Sequence, residues 1–162
     1  MKVVPSPGGD ISAFLRDEKF AQQCFVMSEP LQARHAGVDV KVFPVADIGY
    51  NPYTTVLATS GAQLKSDPDR VTSVTTAMVA AVREGWRAYL NDPKSTNAKM
   101  HELNPSMDSA AFAEVAEAQK PFIESAVLGS MTTERWTALI AQLAELGDIP
   151  QAIPAQDCFV KG

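Results

Sequence analysis

Between residues 22 and 93 the chain is punctuated in a way that leaves few folds open to it. It reads QQCFVMSEP, a polar stretch, VKVFPVADIGYNPYTTVLATS, SDPDRV, and a long segment closing in EGWRAYLNDP. Cys24-Phe25-Val26-Met27 is a continuous apolar run, the pattern of a strand covered on both faces of a parallel sheet. Pro30 lacks a backbone donor and restrains Glu29 to an extended conformation, so the run stops there with the Glu29 carboxylate at the sheet's C-terminal edge. Val38, Val40, Val42 and Phe43 form the next predicted strand. The loop from Ala46 to Tyr53 leads into a third, the β-branched stretch Thr54–Thr59.

The flanking residues extend this alternation. Lys2-Val3-Val4 predicts a short strand stopped by Pro5 and Pro7, and Asp10 is placed to cap a short helix carrying Ile11, Phe14 and Leu15. A helix from Pro30 to about His35 closes at Ala36-Gly37, where glycine can turn left-handed. Strands alternating with short helices imply an α/β fold class for the first third. From residue 61 the pattern is helical. Ser66 or Asp67 caps a helix with Pro68 in its first turn, and Val71, Val74, Met78, Ala81, Val82, Gly85, Trp86 and Tyr89 follow the 3.6-residue period as an expected core stripe. Gly85 in that stripe is expected to permit close packing against a neighbour. A short helix after Asp92-Pro93 ends before Asn104-Pro105. Another is capped by Asp108 and ended or kinked at Pro121, and a last one runs from Thr132 to Gly147 with Trp136, Leu139, Ile140 and Leu143 on its apolar face.

Composition excludes several functions. The 162 residues suffice for one cored domain, and a hydrophobic share of 46% with 20% charged residues argues against disorder. The net charge of −5, with no cluster of Lys and Arg, is unsuited to nucleic acid or an anionic membrane. No apolar stretch approaches the ~20 residues of a membrane span. Cys24 and Cys158 have no metal-ligand spacing and read as free thiols, a disulfide between them remaining open. His35 and His101 lack a ligand partner at a helical interval, and no phosphate-loop, dinucleotide, nucleophile-elbow or zinc-protease motif occurs. No enzyme, cofactor or metal is therefore expected.

The order strand-EP, Gly-strand, D-x-G-x-x-P-Y-strand, SDP-x-x-V and a helix ending E-G-W-x-x-Y-x-x-D-P resembles the C-terminal portion of substrate-binding proteins of ABC transporters, of the nitrate/sulfonate/taurine and thiamine-pyrimidine-precursor type. The likeness runs over nearly the whole chain, with residues 22–93 carrying most of it. It implies a type II periplasmic-binding-protein-like fold, here a short, mostly parallel sheet followed by a helical C-terminal half. Residues 1–45 would be the end of the second α/β lobe, 46–147 the return into the first lobe with its covering helices, and 148–162 an extended strap. The first lobe's opening units and an export signal are not among these residues. The chain is thus expected to be a fragment of an exported, periplasmic precursor, a natural truncation or an artificially started piece, and cytoplasmic if complete. A sheet lacking its first strands would expose edges and apolar faces, so a homodimer or swapped arrangement is expected.

The resemblance implies non-covalent binding of a small organic solute and delivery to an ABC permease. Four residues are placed to contact it. Glu29 sits where open α/β sheets bind ligands, or serves as a hinge carboxylate for backbone N–H groups. Tyr50 and Tyr53, flanking Asn51-Pro52, could stack on a planar ligand or pack against the next lobe. Asp10 with Gly8-Gly9 offers a lesser anion site, since its own carboxylate competes for the same amides. The likeness extends to thiamine-pyrimidine synthase, an iron- and pyridoxal-dependent enzyme with a cysteine cluster before the return strand. The matching positions here, Tyr50 to Thr54, hold no cysteine, so thiolate ligation of iron is not available at that loop. A stand-alone oligomeric interaction or sensor domain without transport is the rival reading.

Overall fold

The structure is a computed structural model and describes residues 4–5, 8–105 and 109–160. Among the described residues there are seven α-helices, two 3-10 turns and no strand. The helices are α1 (Ser12–Arg16), α2 (Glu29–His35), α3 (Gly61–Ser66), α4 (Pro68–Asn91), α5 (Lys94–Leu103), α6 (Ser109–Ile123) and α7 (Thr133–Leu146). The expected α/β fold with a parallel sheet is therefore corrected to a helical one. The predicted strand at Lys2-Val3-Val4 lies outside the described residues except for Val4.

Each missing strand has a local cause. Phe25 is turned, with its carbonyl accepting the Ser28 N–H at 2.9 Å, and Cys24 and Phe25 are exposed rather than covered. Pro30 starts α2 instead of stopping a strand, because a residue without a donor loses nothing in a first helical turn. Residues 38–43 do keep a two-residue alternation, with Val38, Val40 and Val42 half-buried and Asp39, Lys41 and Phe43 exposed. Among the described residues no second strand lies alongside to accept its hydrogen bonds, and strand formation depends on such a partner more than on propensity. Residues 54–60 are exposed throughout.

The chain divides into two compact units. The first comprises Met1–Pro44 and Pro93–Ile123. Its buried residues, among those described, are Pro30, Leu31 and Ala33 of α2, Asn97 of α5, and Phe112 and Ala116 of α6, with α5 packed on α6. Gly37 ends α2 at φ +80°, as its position predicts, and His35 Nε2 lies 2.6 Å from Glu114 Oε2 of α6. Asp108, the expected cap of α6, falls outside the described residues. Pro121 does not end α6 but lies inside its last turn.

The second unit comprises Val45–Asp92 and Glu124–Gly162. Asp67 caps α4 by accepting the Arg70 N–H at 3.1 Å, and Thr132 caps α7 by accepting the Arg135 N–H at 3.3 Å. Gly147 closes α7 at φ +78°. Ile140 of α7, Tyr89 of α4, Leu128 and Ala155 are its buried apolar residues, and the 3-10 turn Ala155–Asp157 packs on α7. The core expected along α4 is not formed. Of its stripe only Tyr89 is buried, while Val74, Met78, Val82 and Trp86 are 53%, 48%, 38% and 38% exposed.

Because the Asp67 cap supplies a partner for an otherwise unpaired amide of the longest helix, Asp67→Ala should lower stability by about 1 kcal/mol. A urea titration followed by far-UV circular dichroism measures it, and an unchanged midpoint would contradict the cap.

A candidate site at the 49–53 loop

The loop before residue 54 is held by the first turns of α7. Val45–Ile48 makes a 3-10 turn, and Gly49 leaves it at φ +93°, a conformation that a side chain would strain. The carbonyl of Gly49 then accepts from Gln142 Nε2 at 3.0 Å. Arg135 does most of the holding. Its Nε donates to the Asn51 carbonyl, and its Nη2 donates to Asn51 Oδ1 at 2.6 Å and to the Pro52 carbonyl at 2.8 Å. The guanidinium also lies over the Tyr53 ring, 4.1 Å from its centroid, so the cation meets the negative face of the ring. Tyr53 Oη accepts the Thr132 N–H at 2.9 Å, and the Tyr53 and Trp136 rings are 6.1 Å apart and tilted. Trp136 in turn stacks on Phe159 of the C-terminal tail, 5.7 Å away and 9° from parallel.

This arrangement sorts the four sequence candidates. Tyr50, Asn51 and Tyr53 share the second unit, whereas Glu29 belongs to the first. The Tyr53 hydroxyl and ring and the Asn51 Oδ1 are engaged within the chain. Tyr50 is partly exposed. Asn51 Nδ2 and Arg135 Nη1 form no hydrogen bond among the described residues. The unoccupied donors therefore come from one positively charged corner with an aromatic ring beside it. Arg135 itself was not a candidate. Its only local signal, Thr132 three residues earlier, reports the cap on its backbone and says nothing of a partner 84 residues away.

Glu29 stands at the start of α2, its Oε2 accepting the Phe25 N–H at 3.0 Å. It acts on Cys24 as well. Although Cys24 is exposed, neighbouring groups partly desolvate its thiol, and this, with the Glu29 charge second, raises its pKa above the ordinary value. Asp10 Oδ1 accepts the Ser12 N–H at 2.8 Å, so that amide is already taken, and α1 has only five residues. The Ser12 side chain and N–H hold the Asp10 carboxyl below the usual range. No His, Cys, Asp or Glu cluster suited to a metal occurs among the described residues, and no described helix is long and apolar enough to cross a membrane. Two clefts along the C-terminal half of α4 are lined by Arg83, Arg87, Leu90, Glu124, Ser125 and their neighbours, and by none of the four candidates.

Comparison with known families decides the broader identity. The profile described as NMT1/THI5 like matches residues 1–96, more than half of the chain. The chain belongs to the NMT1/THI5-like family. The match covers the punctuated segment and stops at α5, so the resemblance over nearly the whole chain is shown for residues 1–96 only. No curated protein and no solved structure matches the chain.

Two outcomes are expected. Removing the guanidinium in Arg135→Ala should cost about 2 kcal/mol, against about 1 kcal/mol for Tyr53→Phe, which loses a single neutral acceptor. Urea unfolding followed by tryptophan fluorescence compares them, and equal or negligible losses would contradict the clamp. Glu29→Gln removes the lesser cause of the Cys24 shift, so iodoacetamide should alkylate Cys24 modestly faster at pH 8 in a Cys158→Ser background. An unchanged or slower rate would show that the carboxylate does not act on the thiol.

Proposed function

We propose that this NMT1/THI5-like chain binds a small organic solute non-covalently, as part of a solute-binding protein serving an ABC transporter. The observation that carries the reading is a family match through residue 96 that includes a loop tied to α7 by several hydrogen bonds. Pre-ordering matters because a binding loop that is already fixed loses less entropy on association. Tyr50 would lie against a planar or aliphatic part of the solute. Asn51 Nδ2 and Arg135 Nη1 would donate to its oxygens, a chemistry suited to a sulfonate, a carboxylate or the carbonyl of a pyrimidine. No chemical step is assigned to the protein. Glu29, in the other unit, would support its own turn rather than the solute.

The rival role, an oligomeric interaction or sensor domain without transport, is favoured by one observation, the exposed apolar face of α4. The two readings separate in a thermal-shift panel of alkyl sulfonates, pyrimidines, polyamines and flavin-like compounds. Solute binding raises the melting temperature with at least one anionic or carbonyl-rich compound, because a ligand bound only to the folded state stabilises it by mass action. Tyr50→Ala should abolish that increment while leaving the unliganded melting temperature nearly unchanged. A panel without any shift, or a shift indifferent to Tyr50 and Arg135, would set this site aside.

A further inference from the structure

Along the α4 face that carries Val71, Val74, Met78, Val82 and Gly85, Val71 is half-buried and the rest of the stripe, from Val74 to Gly85, is exposed. Val74, Met78 and Val82 are each more than one-third exposed, and a Cβ built on Gly85 would meet nothing within 4 Å. These residues recur at intervals of three and four, so they form one continuous stripe rather than scattered surface residues. An apolar stripe several turns long, next to a position without a side chain, has the shape that receives another helix.

The charges beside the stripe indicate which helix. Arg70 and Glu84 are fourteen residues apart, close to four full turns, so they lie on the same flank about 21 Å from each other. Neither is in an ion pair among the described residues. They are opposite in sign and nearly equidistant from Met78. We propose that α4 packs antiparallel on α4 of a second copy of the chain, about a two-fold axis beside Met78. In that register Arg70 of each copy faces Glu84 of the other, twice over. Val74 meets Val82, Met78 meets its own counterpart, and Val71 enters the gap at Gly85. A parallel pair would instead set Arg70 on Arg70 and Glu84 on Glu84. The self-complementarity is what a closed two-fold interface requires. One helix face is smaller than the roughly 800 Å² per partner of a standard stable interface, so the pair should be reversible and concentration-dependent. This inference is independent of the solute site, which lies on α7 and its loop.

Sedimentation equilibrium and disulfide trapping test it on the full chain with Cys24→Ser and Cys158→Ser, to silence the native thiols. The mass should rise from monomer towards twice the monomer with concentration. Met78→Cys should form a linked dimer on mild oxidation, and Thr76→Cys, on the opposite side of α4, should not. Arg70→Glu should weaken association roughly ten-fold at low salt through two lost exposed pairs, and adding Glu84→Arg should restore it. A monomer at every concentration, trapping through Thr76→Cys in place of Met78→Cys, or failure of the double reversal to restore association would each overturn the proposal.

Discussion

A guanidinium can serve several oxygens at once because its donors lie in one plane, and Arg135 uses that geometry to fasten Asn51 and Pro52 to the start of α7. Several of the second unit's long-range contacts gather around it. With the loop fixed, Tyr53 lies under the cation and its hydroxyl receives the Thr132 amide, one of the donors a helix start leaves unpaired. Trp136, the next residue of α7, then closes on Tyr53 and on Phe159, which brings in the C-terminal tail. The loop, the helix start and the tail are three segments distant in sequence. One side chain, one tilted ring pair and one stacked ring pair unite them.

The same contact defines what the site can offer a solute. It occupies the groups that would be the obvious contacts, the Tyr53 hydroxyl and the Asn51 carbonyl oxygens, and leaves a donor-rich corner with Tyr50 beside it. A corner of donors favours partners bearing oxygens. The helices do not contribute a second, competing site among the sequence candidates. Asp10 is turned onto Ser12, and Glu29 is turned onto Phe25.

The sequence was most legible where its signals act over one or two turns. Asp67-Pro68, Thr132, Gly37 and Gly147 mark helix ends because caps and left-handed glycines depend on neighbours a few residues away, and the structure has each of them. It was least legible where structure needs a distant partner. Val38 to Phe43 alternates in burial as a strand should, yet a strand exists only when another pairs with it. The α4 stripe has the periodicity of a core helix, but periodicity states that a face is apolar, not what covers it. Proline was ambiguous in the same way. Pro30 ends a strand or begins a helix with equal ease, and here it stands in the first turn of α2. The turn at Gly49 to Pro52 is legible as a loop, while its contact with Arg135 is not, since nothing near Arg135 announces Asn51.

The account rests on Arg135 lying over Tyr53 and so fastening the 49–53 loop. Solution NMR of the ligand-free protein tests it most directly, through the Arg135 side-chain resonances. A cation seated on a ring face predicts upfield, ring-shifted δ-methylene protons and nuclear Overhauser contacts to the Tyr53 ring, with the Nε–H protected from exchange. Side-chain shifts at random-coil values, with no contact to Tyr53, would show that the loop is not held and would contradict the account.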